Sequence, residues 1–165
     1  MIPNRRKVFL PREGDLYMAI LAAVGEKRGH EGIIQIGYDL ATTYDVPLHV
    51  LHVIPKSDAQ SHFDSLREIR EFRDVGFDVE HDRAKEIAHE MVKVSLEDYD
   101  RSLVVPEGRI GDPGGEIIKR ADSLDPKFTI VGGRKRTPAG KALFGSVTQT
   151  VILDSTRPVI TSIAE

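Results

Sequence analysis

Cysteine is missing from all 165 residues. That excludes a disulfide-stapled fold and a thiol nucleophile, and it leaves any zinc site to histidine and carboxylate alone. Long hydrophobic runs are missing too, since no segment approaches the ~20 apolar residues that a membrane-spanning helix needs. Charge of one sign is scarce: the formal net charge is -3, too small for a chain organised around nucleic acid. The basic stretch Met1 to Lys7 is followed only by Val8-Phe9-Leu10 before Pro11, well short of the apolar core of a secretion signal. The expected location is therefore the cytoplasm, with no membrane partner. What is present is ordinary for a folded protein, with 40% apolar and 30% charged residues, and the length suits one domain closing one core.

Strand and helix patterns alternate along the chain. Met18 to Val24 is a short continuous apolar run ending at Gly25. Ile33, Ile34, Gly37, Leu40, Ala41 and Tyr44 recur at helical spacing, which predicts a helix over about 31–44. Leu48 to Ile54, bounded by Pro47 and Pro55, is the clearest strand. A peripheral helix is expected within 56–76 and a better amphipathic one over about 80–99, where Ala84, Ile87, Ala88 and Met91 share a stripe. Leu103-Val104-Val105 predicts a third strand, interrupted by Pro106 and Gly108. Asp112-Pro113 signals a helix start, with an acceptor at the cap and proline where no amide partner is needed. Phe128 to Val131 predicts a fourth strand, Ser146 to about Thr156 a last helix, and Val159 to Ile163 the closing strand. Such alternation argues for a single doubly wound α/β domain, a parallel sheet with helices on both faces and ligands beyond the carboxyl ends of its strands. Residues 1–17 are expected to be an N-terminal extension and 18–165 the domain, because a helix from Leu16 to Tyr44 would have to contain Gly25, Gly29 and Gly32, each costing about 1 kcal/mol against alanine.

The segment with chemical potential begins at Val131. A glycine-bearing loop leaves a buried strand and ends at a helix N-terminus with serine as its expected cap, where free amides and the helix dipole favour an anion. Gly132 lets the backbone approach a phosphate, Gly145 frees the amides at the start of the helix, Ser146 offers an amide and a hydroxyl next to Val147, and Arg134, Lys135, Arg136 and Lys141 supply positive charge. It is not a Walker A loop, because Ala142 follows Gly140-Lys141 and Lys135 occupies the position of the first glycine.

This segment resembles the signature of the universal stress protein family: glycine, two residues, glycine, nine residues, glycine, then serine or threonine. Gly132, Gly145 and Ser146 match, and Lys135 stands where the second glycine belongs. The resemblance runs over roughly Met18 to Ile163, including Gly111-Asp112-Pro113 and the ending Arg157-Pro158-Val159-Ile160. It implies an adenine-nucleotide alpha-hydrolase-like, Rossmann-like fold with five parallel strands. It also implies a homodimer joined through the last strand, Val159 to Ile163, and a stress-response protein binding ATP, AMP or a similar nucleotide, with Mg2+ held by the phosphates and Ser146. In nucleotide-binding members the base and ribose lie against the end of the first strand, here Val24 and Gly25, and a valine ending the second, here Val53. Gly25 stands where the family has aspartate, and Glu26 is adjacent; Pro11-Arg12-Glu13-Gly14 is an alternative copy of that motif. Two rival readings stand beside this one, a dimeric regulatory module that binds no nucleotide and an ATP-using enzyme on a related fold.

Other groupings read as structural. His49 and His52, three apart on a strand, point to opposite faces and cannot share an ion. His81 and His89 have no third ligand at zinc spacing. Asp78, Glu80 and Asp82 read as a solvated helix face. No catalytic base or nucleophile is evident, so no catalytic residue is assigned, no protein-built metal site is expected, and any hydrolysis would be slow. The basic run lacks the aromatic partners that nucleic-acid binding would use.

Overall fold

The computed structural model describes residues 19–26, 29–69, 76, 78–135 and 142–164; the expected N-terminal extension, the motif at 11–14, Arg136 and Lys141 lie outside them. β1 (Ile20–Val24) is buried at every position and β2 (Leu48–Pro55) at most of them, as strands covered on both faces require. Between them α1 (His30–Tyr44) turns Ile33, Ile34, Gly37 and Ala41 to the sheet. Gly37 permits that approach, since a Cβ there would stand 2.7 Å from Leu48 Cδ1. α2 (Lys56–Arg67) starts directly after β2, and α3 (Asp78–Ser95) follows. α3 stops at Ser95 rather than 99; Ser95 Oγ donates back to the Met91 carbonyl at 2.7 Å.

β3 (Val104–Gly111) is longer than the residues alone suggest. It pairs with β2 from Leu48↔Val104 to Pro55↔Gly111, running through Pro106 and Gly108. Proline is tolerated because β3 is the edge strand of the described sheet and one side of it needs no amide. Gly108 is required by packing, since a Cβ would lie 2.1 Å from the Lys85 amide nitrogen of α3. α4 (Pro113–Leu124) begins as expected, Asp112 Oδ2 accepting from the Gly115 amide at 2.8 Å. Next come β4 (Phe128–Lys135), the short β5 (Ala142–Leu143), α5 (Ser146–Asp154) and β6 (Val159–Ala164).

Five strands run parallel in the order β3-β2-β1-β4-β6. β5 pairs antiparallel with the far end of β4, on the flank opposite β6, because Arg134 is paired with both Leu143 and Ala164. β4 therefore continues to Lys135, beyond the Val131 at which the sequence pattern ends it; its pairing with β1 stops at Ile130, which leaves that flank to β5. α1 and α3 cover one face of the sheet over a core that includes Ile20, Ile34, Val50 and Val92, and α4 and α5 cover the other over Leu21, Leu51, Ile117 and Val151. No helix among the described residues is long and apolar enough to cross a membrane.

Candidate functional site

The strand order reverses at β1. From β1 the chain builds outward to β2 and β3, then crosses back to β4 and β6 on the other side. Helices leaving β1 and β4 for opposite faces open a crevice between those two strands, at their carboxyl ends. A cavity of about 490 Å³ lies there, between the ends of β1, β2 and β4 and the first residues of α1 and α5. That volume is within the ~300–1,000 Å³ of small-molecule sites.

Several residues picked out in the sequence converge on it. Val24 and Gly25 line it from β1, Val53 from β2, Val131 and Gly132 from β4, and Gly145 and Val147 from the start of α5. A Cβ on Gly25 would meet nothing within 4 Å among the described residues. A Cβ on Gly132 would stand 2.9 Å from Ile33 Cδ1. Thr148 Oγ1, also on the cavity wall, donates to the Gly132 carbonyl at 2.6 Å and ties α5 to β4.

The remaining three sit differently. Arg134 and Lys135 are backbone members of β4 in its pairing with β5. Ser146 is exposed, does not line the cavity, and is the first helical residue rather than the cap; Gly145 holds the cap position, with no side-chain bond to the helix. The first bond of α5 runs from the Gln149 amide to the Gly145 carbonyl at 3.0 Å. The amides of Ser146, Val147 and Thr148 thus precede the helix's own ladder, as the first amides of any helix do, and are free to meet an acceptor.

Polar side chains that spacing does not reveal also line the cavity: Glu26, His30, His52, Asp58 and Arg83. Glu26 is foreshadowed by its place beside Gly25; His30 and Arg83 have no local signal. His52, which reads as structural, also lines the cavity. It is 3% exposed, and its Nδ1 lies 3.0 Å from the Val24 carbonyl, fixing the end of β2 to the end of β1. Its Nε2 has no partner within hydrogen-bond distance among the described residues.

His49 faces the other way. It contacts Glu107, which takes a bidentate pair from Arg120, Nε to Oε2 at 2.7 Å and Nη2 to Oε1 at 2.6 Å. Burial pushes the Glu107 carboxyl up, but hydrogen bonds from His49 and Arg120, with their charges, outweigh it and hold the group at about 2. This cluster fastens β2 and β3 to α4, whose Pro113 and Ile117 form part of the cavity wall. Glu80 corrects the reading of a solvated face. It is fully buried, paired with His62 of α2 and, at 3.0 Å, with Arg83 Nη1, because α2 folds over the start of α3. His89 does gather with Glu86 and Glu90, all three exposed, but Glu90 is engaged by Lys93 at 2.7 Å.

A cavity at the switch point of a doubly wound sheet, with the first amides of a helix beside it, places the chain in the Rossmann-like class of α/β domains. Comparison with known proteins narrows the class. The model of the universal stress protein family matches residues 16–161. A universal stress protein of Mycolicibacterium smegmatis is 39% identical over 49 residues, covering 30% of this chain and 38% of that relative's length. The structure of a universal stress protein from Archaeoglobus fulgidus is similar at 27% identity and a TM-score of 0.57, over 88% of this chain and 98% of its own. A universal stress protein structure from the same organism in complex with dAMP shares the fold, at 21% identity and a TM-score of 0.53, over 88% and 98%. The chain belongs to the universal stress protein family.

Proposed function

We propose that this chain is a nucleotide-binding stress-response protein that holds an adenine nucleotide, AMP or ATP, in the cavity at the ends of β1, β2 and β4. The observation that carries the reading is the meeting, in one cavity of adequate volume, of the open end of β1 at Gly25, the end of β2 at Val53 and the first turn of α5. A relative of the same fold that was solved with dAMP supports it. The base and ribose rest against Val24, Gly25 and Val53. The phosphates take amides from Gly132 and from Gly145 to Val147 and the backbone of Val131, beside the β4 end whose sequence carries Arg134 and Lys135. An accompanying magnesium ion would draw its ligands from phosphate and water, because the carboxylates lining the cavity, Glu26 and Asp58, come from the β1 end and α2.

The assembly in this reading is a homodimer through β6. Among the described residues β6 is paired on one side only, and Val159 to Ile163 carries no charge that would discourage a second strand.

The test is direct. Mass spectrometry of the natively purified protein identifies any co-purifying nucleotide, and thermal unfolding with added AMP or Mg-ATP measures the binding. A ligand at 100 times its dissociation constant stabilises by about 2.7 kcal/mol, which raises the midpoint by roughly 5–10 °C for a chain of this size. No nucleotide in the purified protein and no shift at millimolar ligand would leave a dimeric module without nucleotide binding.

A further inference from the structure

Charge is spread unevenly over the cavity wall. Among the described residues that line it, Arg83 of α3 is the one arginine or lysine. The proposed phosphate position lies elsewhere, where the first amides of α5 meet the end of β4, and it makes no use of this cation. α3 packs on β2 and β3 and α5 packs on β4, with β1 between those strands in the sheet, so Arg83 stands on the far side of the cavity from the α5 start.

The guanidinium is held in place. Its Nη1 donates to Glu80 Oε2 at 3.0 Å, Glu80 is fully buried, and the other oxygen of Glu80 is taken by His62 of α2. Ala59 of α2 packs with Ile54 and Ala84 and seats that helix over the start of α3. A carboxylate clamped from both sides fixes where the guanidinium lies, so little side-chain freedom remains to be lost when a ligand arrives. Arg83 is nevertheless 38% exposed in its side chain, and among the described residues its other N–H groups meet no acceptor. Asp58, on the α2 wall, accepts from the Ser57 hydroxyl at 3.3 Å and is not paired with it. A positioned guanidinium with free N–H groups at a cavity wall suits a carboxylate or a phosphate.

We propose that Arg83 forms a second anion subsite, so that the cavity takes a nucleotide bearing a further anionic group, carboxylate or phosphate, remote from its 5′-phosphate. The 5′-phosphate sits on the α5 amides and the second anion on the free edge of the guanidinium. A simple mononucleotide fills only the first of these. The assignment rests on the nucleotide reading above and goes beyond it by naming the class of nucleotide.

Calorimetric titration of the full chain tests it with AMP, with N6-(1,2-dicarboxyethyl)-AMP, which carries two carboxylates on the base amine, and with adenosine 3′,5′-bisphosphate, which carries its second phosphate on the ribose. The unmodified protein is expected to bind one of the two more anionic probes about tenfold more tightly than AMP, since a charge-assisted hydrogen bond contributes on that order. Arg83→Gln keeps an amide donor for Glu80 and removes the charge. It is expected to bind AMP as the parent does and the favoured probe no more tightly than AMP. Neither probe favoured over AMP by the parent, or a preference that survives in Arg83→Gln, would overturn the subsite while leaving the nucleotide reading intact. Failure of the parent to bind any of the three would bring down both. Should Arg83→Gln not fold, salt dependence in the parent decides: the preference must shrink as sodium chloride rises from about 0.05 to about 0.5 M, and a preference constant over that range would refute the proposal.

Discussion

Glutamine at position 107 offers a quantitative test of how the scaffold behind the cavity is held. Glu107 joins β3 to His49 of β2 and to Arg120 of α4, and its side chain is 19% exposed. Burial opposes the charged form, yet the hydrogen bonds and charges of its two partners bring the carboxyl from an ordinary 4.5 to about 2. At ~1.4 kcal/mol per pH unit, that gap is worth at most ~3 kcal/mol. Solvent reaches part of the group, and screening reduces the figure to about 1–2 kcal/mol. The sign is fixed by linkage: the folded value lies below the unfolded one, so the contribution is complete above about 4.5 and drains away as pH falls toward about 2. Arg120 keeps its charge throughout that window. Urea unfolding of the parent and Glu107→Gln should therefore differ by about 1–2 kcal/mol at pH 7, by roughly half that near pH 3, and converge near pH 2. A gap that stayed constant from pH 7 to pH 3 would show that size and hydrogen bonding, not the carboxylate charge, hold this corner together.

Two further predictions follow from close packing and capping. Gly108→Ala forces a Cβ against the backbone of Ala84 and Lys85, which cannot swing aside, and should cost about 3 kcal/mol or more in chemical unfolding by separating β3 from α3. Asp112→Ala removes the acceptor that the Gly115 amide uses and should cost about 1 kcal/mol in the same measurement, whereas Ser146→Ala, at a helix start with no side-chain cap, should stay within about 0.5 kcal/mol. A Ser146→Ala loss matching that of Asp112→Ala would restore the serine-cap reading.

Much of the fold is legible in local pattern. Leu48 to Ile54 has the branched apolar composition of a buried strand, and α1 declares itself through Ile33, Ile34 and Ala41 on one stripe. Asp112-Pro113 announces α4 because capping is a property of adjacent residues. Where the pattern misleads, a distant partner is the cause. β3 continues through Pro106 and Gly108 because β2 pairs along its length and α3 presses on Gly108, and β4 continues to Lys135 because β5 and β6 flank it. Glu80 looks like a surface charge until α2 folds over it and supplies His62.

The candidate site divides along the same line. Glycine and serine spacing around 132 to 146, with a valine closing the second strand, is carried by the sequence because each marks a local backbone requirement: close approach, free amides, a strand end. The register of β1 beside β2 and the crossover to β4 are decided only in three dimensions, and they bring Glu26, His30 and His52 onto one cavity wall. A histidine's partners, and hence which ring nitrogen is left bare, depend on contacts between residues far apart in the chain, such as the 28 positions separating His52 from Val24. Periodicity reports which face a residue occupies; only the assembled sheet determines what it finds there.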